Sequence, residues 1–248
     1  MSKDPLVIMM SREAEPSATD FPLSFRSPPV GILEFVLSRE FLGTEEVSRS
    51  AVSDAKGVDA ARWTKYMDRG ELVWPNVKNA LVGIFESSAS EVWLKSDPRA
   101  PSPKDQTVVC HLVMAYILYK LNLLRDPHRE FGLAPDVTID ICLQSQSNDI
   151  TKRTLFDPIA EIVEGAPWFL EHTKRKWGRN ELVFDFGVRL LVAHGSPDFL
   201  LGRNVFSGVV SLDGQEAEGK MMVDALSNQI MSRFGRLPTF FGKLIVDC

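Results

Sequence analysis

The chain has 248 residues, a formal net charge of −5 and a composition that is 44% hydrophobic and 25% charged. A chain of this size buries about 70% or more of its unfolded surface, so its core needs no disulfide or metal. The acidic balance excludes a surface built throughout for nucleic acid, although a local basic patch could still bind it.

The cysteines and the N-terminus indicate the compartment. Cys110, Cys142 and Cys248 lie far apart without a nearby cysteine or histidine partner, which argues against a disulfide framework and a structural zinc site. The N-terminus lacks the features of a signal peptide. The longest uncharged apolar run, residues 107–119, is shorter than the roughly 20 residues of a membrane span. The sequence therefore predicts a cytoplasmic or nuclear protein that is not secreted and has no transmembrane segment.

The first half of the chain is predicted to be mainly helical. Residues 1–29 are rich in proline and predict an irregular N-terminal arm. Apolar residues at helical spacing predict helices over residues 30–42, from Trp74 onward, and over residues 105–125. The proline-rich and charged residues 95–104 indicate an internal linker.

The second half changes to the period of β-strands. Apolar and polar residues alternate in several segments, which is typical of half-buried strands. Because helices dominate the first half and strands the second, we predict an α+β fold, with a helical N-terminal half packed on a mainly antiparallel sheet. Residues 30–248 are expected to form a single domain that contains the linker. The predicted strands are residues 137–144, 181–193, 205–212 and 243–246.

One short string suggests a metal site. Leu190–Asp198 resembles the first-strand motif of the sirohydrochlorin chelatase family, which implies that His194 would bind the metal beside a porphyrin-like ring. Only 54 residues follow His194 (248 minus 194), fewer than the roughly 100 residues of the parallel α/β domain that this motif opens. We therefore interpret the string as a turn after a strand. An enzyme with a scattered metal or carboxylate site around His194 and Asp198 is kept as the alternative function.

A cluster of cations lies beside aromatic residues in segment 167–179. Basic side chains neutralise phosphates, and tryptophans stack on bases or settle at a membrane headgroup boundary. The alternative is a helix whose aromatic residues pack inward and whose last turn carries cations that suit the helix dipole. The candidate binding residues are Trp168, Lys174, Arg175, Lys176, Trp177 and Arg179.

No complete catalytic or cofactor motif accompanies this segment. The sequence has no phosphate-binding loop ending in Gly-Lys-Ser/Thr, and residues 213–220 predict a polar turn that leads into a helix. We therefore expect a non-enzymatic interaction or assembly protein, similar in size and plan to small viral matrix-type or accessory proteins. A protein partner or self-association is expected, and RNA or an anionic membrane surface are further candidates. No cofactor, metal or small-molecule substrate is expected.

Overall fold

A computed structural model of the chain describes residues 7–11, 23–38, 40–42, 74–95, 104–193, 196–212, 216–235, 237 and 240–247. The described strands form one eight-stranded sheet. Across the sheet the order is β1 (Val7–Ser11), β2 (Glu91–Lys95), β8 (Leu244–Asp247), β7 (Val205–Ser211), β3 (Ile139–Gln144), β6 (Val188–Val192), β5 (Glu181–Phe184) and β4 (Arg175–Trp177).

The centre of the sheet is parallel. Strands β2, β8, β7, β3 and β6 pair with one another in parallel. The remaining three strands are antiparallel to their neighbours, β1 at one edge and the β5–β4 hairpin at the other. The carboxyl ends of the five parallel strands therefore lie at one edge of the sheet, which we call the carboxyl edge.

The helices cover both faces of this sheet. Their bounds are α1 (Ile32–Leu37), α2 (Trp74–Glu86), α3 (Lys104–Leu123), α4 (Pro127–Glu130), α5 (Asn148–Thr151), α6 (Asp157–Gly165), α7 (Pro167–His172) and α8 (Glu216–Arg233). A π-helical turn, Lys152–Phe156, joins α5 to α6. The residues at both joints have right-handed helical backbone angles, so residues 148–165 form one continuous rod, the long helix.

Successive residues of a strand point to opposite faces of a sheet, and the two hydrophobic clusters follow this rule. Ile141 and Leu143 of β3 belong to a large cluster with α1, α2, α3, α6 and α7. Cys142 belongs to a second cluster with α8 on the other face. All six residues of β3 are buried, as expected of a parallel strand covered by helices on both faces.

The predicted α+β class with a mainly antiparallel sheet is wrong: the fold is an α/β fold whose central strands are parallel. The prediction failed because polar residues in the alternating segments were interpreted as facing water. Asp140 of β3 is completely buried, since Arg189 and Arg203 bind its carboxylate. The alternation of apolar and polar residues does not show whether a strand pairs in parallel or antiparallel with its neighbours.

Several predicted boundaries also change. Residues 181–193 form two strands separated by a 3₁₀ turn, Asp185–Gly187, in which Phe186 and Gly187 have positive φ angles of 57° and 65°. Residues 7–11 of the predicted irregular arm form β1. Most of the predicted linker, residues 96–103, lies outside the described residues. No helix in the described part of the chain is both long enough and apolar enough to cross a membrane.

Candidate functional site

The topology singles out one position at the carboxyl edge. From β3 the chain runs through the long helix toward β6 on one side, whereas β7 lies on the other side of β3. The helix after β7, α8, packs on the opposite face from the long helix. The strand order therefore reverses between β3 and β7. In open α/β sheets, ligands bind in the crevice outside the carboxyl ends of the strands at such a reversal.

On the β3 side of this crevice the chain turns within three residues. β3 ends at Gln144 and the long helix begins at Asn148, so Ser145–Ser147 form the connection, which we call the junction loop. Ser147 caps the helix, because its Oγ accepts a hydrogen bond from the amide of Ile150 at 3.3 Å. The loop is therefore short, and its end is fixed by the helix that it starts.

A buried threonine closes the junction loop. The hydroxyl of Thr151 donates to the carbonyl of Ser147 at 2.8 Å and accepts from the amide of Ser145 at 2.9 Å. Its oxygen lies 2.9 Å from Oγ of Ser145. A hydroxyl has one proton, and that of Thr151 is given to Ser147, so Ser145 must be the donor of this third bond. Two donors of Ser145 thus converge on a single oxygen atom of Thr151.

Gln144 adds an unsatisfied polar atom at the end of β3. Its side chain is 8% exposed, and its amide nitrogen donates to the carbonyl of Ser145 at 2.9 Å. Its Oε1 is buried and has no hydrogen-bond partner among the described residues. A buried acceptor without a donor costs about 1–3 kcal/mol, so this end of the strand contains unused hydrogen-bonding capacity.

The π-turn that follows Thr151 is held by a buried histidine. A π-turn has hydrogen bonds between residues five apart instead of four, and such turns are frequent at functional sites. Nε2 of His111 donates to the carbonyl of Thr154 at 2.7 Å, since a carbonyl can only accept. Burial lowers the pKa of His111 to about 4, so the ring is neutral at neutral pH. His111 thus tethers α3 to the irregular part of the long helix.

Cations lie beside the junction loop. Lys152 is half-buried and Arg153 is exposed, and both follow Thr151 directly in the long helix. Nε of Arg153 donates to the carbonyl of Asp149 at 3.3 Å. The positive end of the helix dipole lies at the same terminus. Asp149 in the same turn offsets one of the two cations, so the side chains leave one net positive charge at this end of the helix (two cations minus one acid), which favours an anion.

A second lysine lies near the start of α8, the helix that follows β7. Gly219 lies in the first turn of α8, where a Cβ atom would lie 2.2 Å from Cδ2 of Leu212, so a glycine permits close packing of helix and strand. Lys220 follows and is exposed. The residues between β7 and α8, 213–215, lie outside the described residues.

A scan of protein families gives the decisive comparison. Residues 102–241, which are 140 of the 248 residues, match the family described as "Uncharacterized protein MJ0330, N-terminal P-loop domain". The chain belongs to this P-loop family. The matched region begins just before α3, and β3 is its first strand. The junction loop of this P-loop domain therefore follows the first strand of the matched region.

Comparisons with other proteins add two structural similarities. The large terminase of a thermophilic bacteriophage is 14% identical with a TM-score of 0.34, over 58% of this chain and 30% of the terminase chain. A crystal form of that terminase in complex with ADP is 13% identical with a TM-score of 0.35, over 60% and 31%. The P-loop domain thus spans less than a third of the terminase chains that it matches. No curated protein matches the sequence.

The usual phosphate loop of P-loop proteins has the sequence Gly-x-x-x-x-Gly-Lys-Ser/Thr between a strand and a helix, and this chain departs from it. At the junction loop, Gln146 and Thr151 stand at the glycine positions, Lys152 at the lysine and Arg153 at the hydroxyl position.

A segment after β7 carries Gly214, Gly219 and Lys220 at the required spacing, but Met221 stands at the hydroxyl position. Neither segment has the complete signature, and the glycine and lysine spacing of the second is the one sequence signal that indicates either of them.

The residues at the junction loop suit a phosphate group better than Mg²⁺, because they supply hydrogen-bond donors and not metal ligands. Ser145 has an amide and a hydroxyl that donate to one oxygen, and Lys152 lies in the helix that begins at the junction loop. In P-loop proteins the Ser/Thr after the lysine binds Mg²⁺, and neither Arg153 nor Met221 can replace it. Among the described residues no group of three or more histidines, cysteines, aspartates or glutamates could hold a metal.

The family assignment overturns the predicted function. The prediction of a non-enzymatic interaction or assembly protein that contacts RNA, membrane or protein partners is wrong, because the chain is a P-loop domain. The same finding overturns the alternative of an enzyme with a site around His194 and Asp198. Asp198 is exposed in the 3₁₀ turn Pro197–Leu200, and His194 lies outside the described residues. The error came from giving weight to charge clusters rather than to the strand–loop–helix junctions.

The residues of the predicted binding segment lie at the far edge of the sheet. Trp168 is only 5% exposed and packs against Tyr119 and His172. The other residues lie on or beside the edge strand β4, where Trp177 is 45% exposed. Whether the exposed members bind anything stays a prediction. They are Lys174, Lys176, Trp177 and Arg179, together with the half-buried Arg175.

Proposed function

We propose that this chain is a nucleotide-binding domain of the P-loop class, and that the phosphate groups bind at the carboxyl edge beside the junction loop. One observation carries the proposal. The first strand of the family-matched region runs through the junction loop directly into the long helix, at the place where the strand order reverses. This is the position at which doubly wound sheets bind nucleotides.

The chemistry of the residues supports a phosphate ligand. Backbone amides at the N-terminus of a long helix and a nearby lysine are the groups that stabilise phosphates in such domains. Here the amide and hydroxyl of Ser145, the amides at the start of the long helix and the ammonium group of Lys152 are close to each other along the chain. The proposal concerns binding, because Arg153 stands where a P-loop has the Ser/Thr that binds Mg²⁺.

The test is a titration with the fluorescent nucleotide N-methylanthraniloyl-ADP, whose two phosphates are those that a P-loop holds. We expect saturable binding by the wild-type chain. Lys152→Ala should weaken it roughly ten-fold, because a charge-assisted contact to phosphate contributes about 1.4 kcal/mol or more. Lys176→Ala, which removes an exposed cation of β4, is the matched control and should not change the affinity. The absence of saturable binding by the wild type would contradict the proposal.

The segment after β7 is the second candidate for the phosphate site, because Gly214, Gly219 and Lys220 have the spacing of a phosphate loop. Acidic residues surround this segment in the sequence and would repel phosphates. The same titration with Lys220→Ala separates the two candidates. If Lys220→Ala abolishes binding and Lys152→Ala does not, the phosphates bind at the start of α8. The acidic residues are Asp213, Glu216 and Glu218.

A further inference from the structure

We propose that the first turn of the long helix is a wound-up phosphate loop, closed by the hydroxyl of Thr151, and that nucleotide binds only after this turn unwinds. This inference rests on the proposed function, since it describes how the same site is regulated. It follows from the bonding of Thr151, from the length of the junction loop and from the position of the π-turn.

The bonding of Thr151 mimics that of a phosphate oxygen. The amide and the hydroxyl of Ser145 both donate to its Oγ1 at 2.9 Å, and the threonine is completely buried. Donors that converge on one oxygen at the end of a parallel strand are what a phosphate oxygen requires. In the described conformation these donors are therefore already satisfied within the chain, and a phosphate must compete with Thr151 for them.

The junction loop is too short to surround a phosphate. A P-loop places six residues, Gly-x-x-x-x-Gly, before its lysine, whereas here only Ser145–Ser147 are outside helical structure. None of these three residues has a positive φ angle. If α5 unwinds, residues 145–151 become a seven-residue non-helical segment, and its last six residues stand directly before Lys152. The lysine then stands at the start of the shortened helix, as in a P-loop.

The π-turn provides the joint at which unwinding can stop. The π-turn begins at Lys152, the residue directly after α5. Within it, the carbonyl of Thr154 accepts a hydrogen bond from His111 of α3. A π-turn interrupts the regular ladder of helical hydrogen bonds, so α5 is coupled less tightly to α6 than it would be in a regular helix. The part of the long helix beyond Thr154 can therefore remain anchored to α3 while the first turn opens.

Three variants and the wild type test this inference in titrations with N-methylanthraniloyl-ADP. Thr151→Ala removes the internal acceptor, so a larger fraction of molecules is open and the affinity should increase about ten-fold. Thr151→Ser keeps the hydroxyl and should bind like the wild type. Thr173→Ala is the control, because its hydroxyl makes the equivalent bond to the carbonyl four residues earlier, that of Phe169 at 2.8 Å, but lies at the end of α7, outside the long helix.

A disulfide between positions 145 and 151 tests the inference by holding the turn closed, whereas Thr151→Ala favours the open turn. Oγ of Ser145 and Oγ1 of Thr151 are 2.9 Å apart, so the double variant Ser145→Cys, Thr151→Cys can be cross-linked in the closed conformation. The oxidised protein should not bind the nucleotide and the reduced protein should. Equal binding by both forms would show that opening is not required, and would leave the proposed function intact. If neither the wild type nor any variant binds the nucleotide, the inference and the proposed function are both wrong.

Hydrogen exchange provides a readout that a merely structural threonine would not affect. The amide of Thr151 donates to the carbonyl of Ser147 at 2.8 Å in the closed turn and is expected to be protected. Ligands usually increase protection near their site, but unwinding of α5 should decrease it at Thr151 when the nucleotide is saturating. An increase in the protection of this amide would overturn the inference.

Discussion

Arg189 binds Asp140 through two parallel hydrogen bonds, Nε to Oδ1 at 2.9 Å and Nη2 to Oδ2 at 3.0 Å, between directly paired residues of β6 and β3. Arg203 adds a third bond, from Nη1 to Oδ2 at 3.2 Å. The carboxylate is completely buried, so the cluster fixes the strand that precedes the junction loop against β6 and against the segment that leads into β7.

Asp140→Ala should therefore be strongly destabilising. The substitution leaves two arginines without their shared partner, and removal of one member of a buried ion pair costs roughly 3–5 kcal/mol. Glu181→Gln is the control, because the Glu181 side chain is 43% exposed and contacts Arg189 at 3.2 Å at the outer side of the cluster. This change should cost less than about 1 kcal/mol. Urea unfolding of both variants measures the difference, and equal costs would contradict the prediction.

Gly208 determines how closely β7 can approach β3. A Cβ atom at this position would lie 2.7 Å from the carbonyl oxygen of Cys142, a backbone atom that cannot move alone. Gly208→Ala should cost about 1–3 kcal/mol, because the two strands must separate to accept the methyl group. Gly31→Ala is the matched control, since no described atom lies within 4 Å of its Cβ position. Thermal unfolding of the two variants should show a clear loss only for Gly208→Ala.

Lys243 is expected to make the free energy of unfolding rise with pH. Its Nζ donates to the carbonyls of Ser87 at 2.9 Å and Ala89 at 2.6 Å, and burial lowers its pKa to about 8 from the ordinary 10.5. Between these two values the unfolded chain binds more protons than the folded one, so the contribution of Lys243 to stability rises with pH. We expect the unfolding free energy of the wild type, minus that of Lys243→Met, to increase from about pH 7 to about pH 10.

The comparison with Lys243→Met reports Lys243 together with its effect on Lys120. Burial raises the pKa of Tyr116 to about 12, which acts in the opposite direction above pH 10, but this effect is common to both proteins and cancels in the difference. Burial also lowers the pKa of Lys120 to about 8, with a further contribution from Lys243 itself. A difference that does not change with pH would show that Lys243 remains charged in the folded chain.

The proposal that residues 30–248 fold as one unit is tested by charges placed in the core. Leu112 of α3 and Leu190 of β6 belong to the same hydrophobic cluster and are 1% and 0% exposed. Leu112→Glu or Leu190→Glu should destabilise the chain by several kcal/mol, whereas Leu170→Glu, at a position that is 54% exposed, should not. Limited proteolysis within residues 95–104 that releases two separately folded fragments would refute the proposal.

The sequence predicted the positions of helices and strands better than the direction in which the strands pair. The alternation over residues 137–144 located β3, and the apolar run over 105–125 located α3 within two residues at either end. The alternation could not show that β3 is parallel to its neighbours, because parallel and antiparallel strands bury their side chains with the same period. The 3₁₀ turn at Phe186 also left no signal, since a phenylalanine rarely adopts a positive φ.

The candidate site was missed for a related reason. Phosphate-binding loops are recognised by glycines, and the junction loop contains serine and glutamine instead. Ser145 and Thr151 are six residues apart and have no distinctive pattern in the sequence. Their hydrogen bonds exist only because the long helix begins so soon after β3, and this distance depends on packing against α3 and the sheet.

The position of β8 has a consequence for how the chain is made. β8 lies between β7 and β2, so residues 91–95 reach the rest of the sheet only through residues 244–247. Before residues 244–247 are synthesised, β2 therefore has no parallel neighbour, and the hydrogen-bonding groups of the edge that faces β8 remain available to other molecules. This edge of β2 is therefore exposed to aggregation until residues 244–247 are available to pair with it.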